Sequence, residues 1–267
     1  MKKSIVFVGD SFCSAFSDPC GNPHGYAQQY DYLNQNWLND SAQQLDLDLY
    51  CFGYAGRSWF YSRSQFFRHM NDHPAFRDSV ELLVFCHTDN NRYNTGNGDI
   101  GNEMLSTDYR PDVNDPRRKD KINRAESLKI WLADLRDGAV QDWSQTQWYY
   151  EIARDFSDIK QVHFNNYPFT VEKTTRILSP VGMVFTTPLI HISLGEMTGS
   201  DRHIEKYGMA EDQRTNHFSP ANNRALALTL VNAYKNYSVG TYDIDLSGFD
   251  IQNHNAFRWP DPGFGTQ

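Results

Sequence analysis

The feature of the sequence that most constrains its fold is an alternation of short apolar runs with longer amphipathic segments. Five runs have the length and the β-branched or aromatic content of buried strands: residues 4–8, 48–53, 80–86, 160–164 and 182–186. Longer segments with helical spacing of apolar residues cover residues 26–45, 60–70, 125–135, 142–156 and 219–237. This alternation predicts a parallel sheet covered by helices on both faces. We therefore expect a three-layer, flavodoxin-like α/β sandwich with a five-stranded parallel sheet.

Two stretches depart from this alternation and suggest the domain organisation. Residues 90–122 are rich in Asn, Asp and Gly and predict a long loop inserted over the carboxyl edge of the sheet. The tail after residue 240 is aromatic and punctuated by Pro and Gly, which favours packing along a surface or against a partner. We expect one domain over residues 1–240 and a C-terminal extension over residues 241–267, through which the chain could form an oligomer.

Charge and hydropathy exclude two classes of partner. The formal net charge is −8, whereas a nucleic-acid-binding surface needs clustered Lys and Arg. No apolar stretch approaches the length of a membrane span. The first residues lack the apolar core of a signal peptide. We therefore expect a cytoplasmic protein that binds neither nucleic acid nor membrane.

The cysteines and aromatic residues constrain the chemistry further. Cys13, Cys20, Cys51 and Cys86 show no zinc-binding spacing, so we expect reduced thiols and no metal site. The aromatic fraction is 14%, and aromatic faces suit sugar rings and interfaces, although buried rings account for most such residues.

The stretch "IVFVGDSF" places a serine directly after the first apolar run. Ser11 is expected at the carboxyl end of a strand, which is the edge where open α/β sheets bind ligands. A serine here is either a nucleophile or the start of a turn or helix. Cys13 lies two residues further along, and its thiol could be mistaken for the nucleophile.

Three later stretches place polar groups near the same edge. "FGYAGRSWF" brings Gly53 and Gly56 just past the second strand, where backbone N–H groups could point toward Ser11. "FCHTDNN" ends the third strand with a polar cluster that starts at His87, and "TNHFSP" places His217 before the last helix. A nucleophile, oxyanion donors and a base are the minimum for acyl transfer.

These stretches, in this order, resemble the motifs of the SGNH (GDSL-type) hydrolases, a family of esterases and lipases with a flavodoxin-like fold. The resemblance covers the layout of residues 4–236. "GDSF" matches the first motif, which implies that Ser11 is the nucleophile and that its own N–H is one oxyanion donor. "AGRS" resembles the second motif, in particular that of carbohydrate acetylesterases, and implies Gly56 as a second donor. His217 then corresponds to the catalytic base, and no cofactor is implied.

The third motif departs from the family pattern of Gly-x-Asn-Asp. Aligning the strand places Asp89 where the family has the donor asparagine. An ionised carboxylate cannot donate a hydrogen bond to an oxyanion. We therefore expect Asn90 to be the donor, with Thr88 or a hole of only two donors as alternatives.

The fourth motif departs from the family pattern of Asp-x-x-His, because Arg214 stands where the acid is expected. We expect Asp212 to orient His217 instead. Glu211 and a backbone carbonyl are the alternatives.

The sequence thus predicts a serine esterase that removes an acyl group, with acetyl as the expected group, from a small-molecule or carbohydrate ester through an acyl-enzyme. Asp10, Arg57, His87 and Asp89 are expected to contact the substrate. Two alternatives remain open at this point: an O-acyltransferase of the same fold, and a non-catalytic carbohydrate-binding or structural module that retains the fold.

Overall fold

The computed structural model describes most of the sheet and the helices that cover it. Described are residues 2–14, 36–54, 58–88, 93–95, 98–100, 138–192, 218 and 220–249, with positions 116, 119–120, 122–123, 126–127 and 130. The strands are β1 (Ser4–Gly9), β2 (Asp48–Gly53), β3 (Val80–His87), β4 (Tyr93–Thr95), β5 (Gly98–Ile100), β6 (Lys160–Asn165), β7 (Met183–Phe185) and β8 (Gly240–Tyr242). The α-helices are α1 (Trp37–Leu45), α2 (Trp59–Asp72), α3 (Phe76–Ser79), α4 (Gly138–Asp155), α5 (Pro168–Leu178) and α6 (Pro220–Lys235).

Six strands form one parallel sheet in the order β2-β1-β3-β6-β7-β8, and β4 pairs with β5 in a separate antiparallel hairpin. The first five strands of this sheet follow the flavodoxin-like order. The α/β class predicted from the alternation is therefore confirmed. Strand β2 lies on one side of β1 and strand β3 on the other, so the strand order reverses at β1. In such sheets the crevice that binds ligands is expected at this reversal, at the carboxyl ends of β1 and β3.

The strand count predicted from the sequence was one too low. Strand β8 is only three residues long and reads "GTY", so it has neither the length nor the apolar run that marks a buried strand. It pairs with β7 at the edge of the sheet and lies across the boundary that we predicted at residue 240. Ile244 and Phe249 beyond it are buried in the core.

The alternation of side chains along the strands creates two cores. Ile5 and Phe7 of β1 face a core that helices α1 and α6 cover, where they meet Trp37 and Leu226. Val6 and Val8 face the opposite core beneath α2, α4 and α5. These two cores and the sheet between them make the three layers.

The helix predictions differ from the structure mainly at α5. This helix was not predicted, because Thr170, Val171, Thr174 and Thr175 are β-branched residues with low helix propensity. Its Pro168 start and its burial of Ile177 and Leu178 against the sheet stabilise it instead.

Helices α1, α2, α4 and α6 lie within or close to predicted segments. Most of the segment predicted at 125–135, and the first part of that at 26–45, lie outside the described residues. Within the described ranges, no helix combines the length and apolar character needed to cross a bilayer.

Two glycines allow the turn after β1 to pack onto the sheet. Gly9 and Gly53 are paired between β1 and β2. A Cβ atom at Gly53 would lie 2.7 Å from both the carbonyl carbon and the Sγ of Cys13, and one at Gly9 would lie 2.6 Å from the same Sγ. Any side chain at these positions would push the turn away from the strand ends.

We predict that Gly53→Ala lowers the free energy of unfolding by about 1–3 kcal/mol, because its methyl group overlaps the backbone of Cys13. Gly248→Ala is the matched control, since a Cβ there meets nothing within 4 Å. It should change stability by less than about 0.5 kcal/mol. Urea unfolding of both variants tests this, and equal effects would contradict the close approach.

Candidate active site

Ser11 begins a single 3₁₀ turn, Ser11–Cys13, that directly follows β1. Its side chain is partly exposed, whereas Asp10, Phe12 and Cys13 on either side are buried. The backbone of the turn is closed by a hydrogen bond from Cys13 N to the carbonyl of Asp10, 3.2 Å long. The fold therefore presents Ser11 at the carboxyl edge of the sheet, directly after the end of β1.

The carboxylate of Asp10 fixes this turn to the sheet. Its Oδ1 accepts hydrogen bonds from the backbone N–H of Phe12 at 3.1 Å and from Nδ2 of Asn166 at 2.7 Å. Its Oδ2 accepts a hydrogen bond from the hydroxyl of Thr88 at 2.5 Å. We predicted that Asp10 contacts substrate, and this was wrong: the side chain is fully buried, and protein donors surround its charge.

Thr88 is excluded as the oxyanion donor that we considered as an alternative. Its side chain is buried, and the single proton of its hydroxyl is donated to Asp10. Its carbonyl accepts a hydrogen bond from Nε2 of Gln145 at 3.0 Å, which links the end of β3 to helix α4. Thr88 therefore holds the turn in place and does not face a substrate.

The prediction that His87 contacts substrate was also wrong. Its side chain is only 5% exposed, because strand alternation directs it into the core beneath α4 together with Phe85. The ring stacks on that of His163 with centroids 5.3 Å apart and meets Tyr149 edge-on at 4.9 Å. Burial lowers the pKa of His87 to about 3, so the imidazole is neutral.

The buried histidines form a hydrogen-bonded chain whose tautomers can be assigned. Nε2 of Gln161 donates to the carbonyl of Phe156, so Oε1 of Gln161 is free to accept from Nε2 of His163 at 3.2 Å. Nδ1 of the neutral His163 must then accept from Nε2–H of His87 at 3.1 Å. Burial first, and then the neighbouring His87, lower the pKa of His163 well below its ordinary value. His163 is therefore a fully buried residue that is hydrogen-bonded through both ring nitrogens.

The thiol of Cys13 is a poor nucleophile in this environment. It is fully buried, and burial raises the pKa of Cys13 well above its ordinary value. Burial also raises the pKa of Cys86 beside it. The thiols therefore stay protonated, and Ser11 is the better candidate nucleophile of the turn.

Asn166 and Gln145 are site residues that sequence reasoning missed. Asn166 directly follows β6, and its position could have been recognised from "HFNNY", which places polar residues at the end of a buried strand. Gln145 lies within α4 without any such signal. Together with Thr88, His87 and Gly9, Gln145 lines a small cavity of about 10 Å³, enough for about one water molecule.

The remaining predicted site residues lie outside the described residues: Gly56, Arg57, Asp89, Asn90, Asp212 and His217. Arg214 lies outside them as well. Within the described part of the chain, no group of His, Cys, Asp and Glu side chains could hold a metal ion.

Comparisons with known proteins give one structural similarity. Neither a protein-family model nor a curated protein matches the chain. A similar solved structure is that of a carbohydrate esterase whose active site displays divergent catalytic and non-catalytic binding functions. The sequence identity is 9% and the TM-score 0.36, and the match covers 87% of this chain and 64% of that structure.

We predict that acid destabilises the fold through the buried histidines. A histidine with a pKa near 6.5 when unfolded and about 3 when folded binds its proton first in the unfolded state, so stability is lost as the pH falls below about 6.5. For His87 this amounts to about 2 kcal/mol at pH 5.

The measurement is urea unfolding at pH 7 and pH 5 for the wild type and His87→Gln, with the exposed His73→Gln as the control. The acid-induced loss should shrink by about 2 kcal/mol in His87→Gln, whereas His73→Gln removes no buried imidazole and should not reproduce that change. An equal loss in all three proteins would mean that His87 does not titrate as its burial requires.

Proposed function

We propose that this protein is a serine ester hydrolase of the SGNH (GDSL) type that removes acetyl groups from a carbohydrate ester. One observation carries the proposal: Ser11 is the partly exposed residue of a turn that buried contacts fix at the carboxyl end of β1. A nucleophile needs access to substrate and a fixed position, and Ser11 combines both.

The proposed reaction proceeds through an acyl-enzyme. His217 removes the hydroxyl proton of Ser11, and Oγ forms a bond to the ester carbonyl carbon. The backbone N–H groups of Ser11 and Gly56 and the side-chain amide of Asn90 stabilise the oxyanion. The tetrahedral intermediate collapses as the C–O bond to the alcohol breaks, and the protonated His217 returns its proton to that alcohol.

Water completes the cycle in the second step. It attacks the acyl group on Ser11 while His217 removes its proton, and the acid is released as Ser11 regains a proton. Asp212 accepts a hydrogen bond from the other ring nitrogen of His217 and holds its tautomer. An acyltransferase would differ only in using a sugar hydroxyl in place of water.

The carbohydrate assignment is supported by the sequence. "AGRS" resembles the second motif of carbohydrate acetylesterases, and the chain is rich in aromatic residues that can stack on sugar rings. In this proposal Arg57 and Asp89 contact the sugar, while Asp10 and His87 do not, since both are buried.

We predict that a fluorophosphonate labels Ser11 and that Ser11→Ala abolishes both this labelling and the hydrolysis of a small acetyl ester. Turnover should fall by about 10⁴-fold or more, because no other group of the turn replaces the nucleophile. Peptide mapping by mass spectrometry locates the label, and a chromogenic acetate reports turnover.

Ser14→Ala is the matched control, since Ser14 is another partly exposed serine three residues further along. It should retain labelling and most of the turnover. A label on Ser14, or hydrolysis that survives in Ser11→Ala, would refute the assignment. An unlabelled wild-type protein that still binds acetylated sugar would favour the non-catalytic binding module.

We also predict that Asp212→Asn lowers turnover by up to about 10⁴-fold while leaving the free energy of unfolding almost unchanged. An amide at this position no longer stabilises the imidazolium that forms at His217. Glu211→Gln removes the neighbouring carboxylate and is the control, with an expected loss of less than about tenfold. Steady-state kinetics decide between them, and near-wild-type turnover in Asp212→Asn removes Asp212 from the mechanism.

A further inference from the structure

Asn166 occupies a fixed position between three parts of the carboxyl edge. Its side chain is fully buried directly after β6. Its backbone N–H donates to the carbonyl of His87 at 2.9 Å, and its carbonyl accepts from the N–H of Ile190 at 3.1 Å. The backbone of Asn166 is therefore held by the end of β3 on one side and by the turn after β7 on the other.

The side-chain amide of Asn166 reaches the turn of Ser11 through one atom. Its Nδ2 lies 2.7 Å from Oδ1 of Asp10, and the same oxygen accepts the N–H of Phe12, the residue after Ser11. The amide of Asn166, which follows β6, and the N–H of Phe12 in the turn thus share Oδ1 of Asp10 as their acceptor. Any displacement of Asn166 is transmitted to the two residues on either side of Ser11.

The carboxylate of Asp10 also dictates which way the amide of Asn166 faces. With the amide reversed, the oxygen of Asn166 would face a carboxylate oxygen, so only Nδ2 can occupy this contact. In this orientation Oδ1 of Asn166 is buried and has no hydrogen-bond partner among the residues that the structure describes. A buried unsatisfied acceptor costs stability, and such costs in a native structure call for an explanation.

We infer that Asn166 is a positioning residue for Ser11, whose amide holds the carboxylate of Asp10 and thereby aligns the Ser11 turn with the ends of β3 and β6. This inference rests on the proposed role of Ser11 as nucleophile. Thr88 holds the second oxygen of Asp10 from the end of β3, so each carboxylate oxygen is tied to a different strand. The unsatisfied oxygen is the cost of placing an amide donor at this contact.

The decisive variant is Asn166→Asp, which keeps the shape of the side chain and replaces the donor by a carboxyl oxygen. Two carboxyl groups at hydrogen-bond distance share a proton, so one of them has a strongly raised pKa. The contact survives at low pH and is lost as the pH rises through that pKa, when both groups carry a negative charge.

Nearby described groups do not obscure this titration. Burial raises the pKa of Cys13 and of Cys86, and burial lowers the pKa of His87 to about 3. All three groups are therefore neutral between pH 5.5 and about 8. A new pH dependence of the variant in this range reports the introduced pair of carboxyl groups.

We expect kcat of Asn166→Asp for a small acetyl ester, relative to the wild type at each pH, to fall about tenfold or more between pH 5.5 and 8. Deuterium exchange of the peptide that contains Ser11, Phe12 and Cys13 should rise over the same range relative to the same peptide of the wild type at each pH, since chemical exchange itself accelerates with pH. Exchange reports local opening of the turn and does not depend on turnover, so it separates this inference from the proposed function.

Asn165→Asp is the matched control, because it introduces a buried carboxyl group one residue earlier. Asn165 donates to the carbonyl of Phe185 and accepts from Thr170 and Thr174. Asn165→Asp should lower the free energy of unfolding in urea, with its own pH dependence. Deuterium exchange at Ser11 should then increase only as far as this loss of global stability requires.

The inference is overturned if Asn166→Asp and Asn165→Asp show the same change of exchange at Ser11 for the same loss of stability. It is equally overturned if the exchange of Asn166→Asp, taken relative to the wild type at the same pH, does not change between pH 5.5 and 8. If the wild-type protein is not labelled at Ser11 by a fluorophosphonate, the proposed function fails, and the exchange measurement still decides whether Asn166 holds the turn.

Discussion

The buried carboxylate of Asp10 is the interaction on which the arrangement at the carboxyl edge depends. A charge taken out of water is costly unless donors surround it, and here donors come from the turn itself, from Thr88 after β3 and from Asn166 after β6. The carboxylate therefore needs β1, β3 and β6 to be assembled before its charge is compensated. The same contacts hold the Ser11 turn in one position relative to these three strands.

Close packing complements this electrostatic constraint. Asp10 draws the turn toward the strand ends, and the missing side chains of Gly9 and Gly53 allow Cys13 to reach its place against β1 and β2. Beneath the edge, stacked and neutral His87 and His163 fill the interior without adding a further buried charge. The polar interior thus supports the turn, while Ser11 stays accessible for the proposed chemistry.

Much of the fold could be predicted from the sequence because its signals are local. An apolar run ended by Gly9 marks β1 and places Ser11 at its carboxyl end, and Pro220 with regular Ala and Leu marks α6. Strand β8 and helix α5 could not be predicted in this way. The strand is too short and polar to show a pattern, and the threonines of α5 disfavour the helix that packing against the sheet stabilises.

The sequence by itself determined the α/β alternation and the position of Ser11 after the first strand, because periodicity and a glycine-terminated apolar run act between near neighbours. Only the tertiary structure decided what the side chains around Ser11 do. Asp10 and His87 have polar side chains that suggested contact with substrate, yet both are buried. Asn166 meets Asp10 across 156 positions of sequence, and a contact at that separation exists only once the sheet has brought the strand ends together.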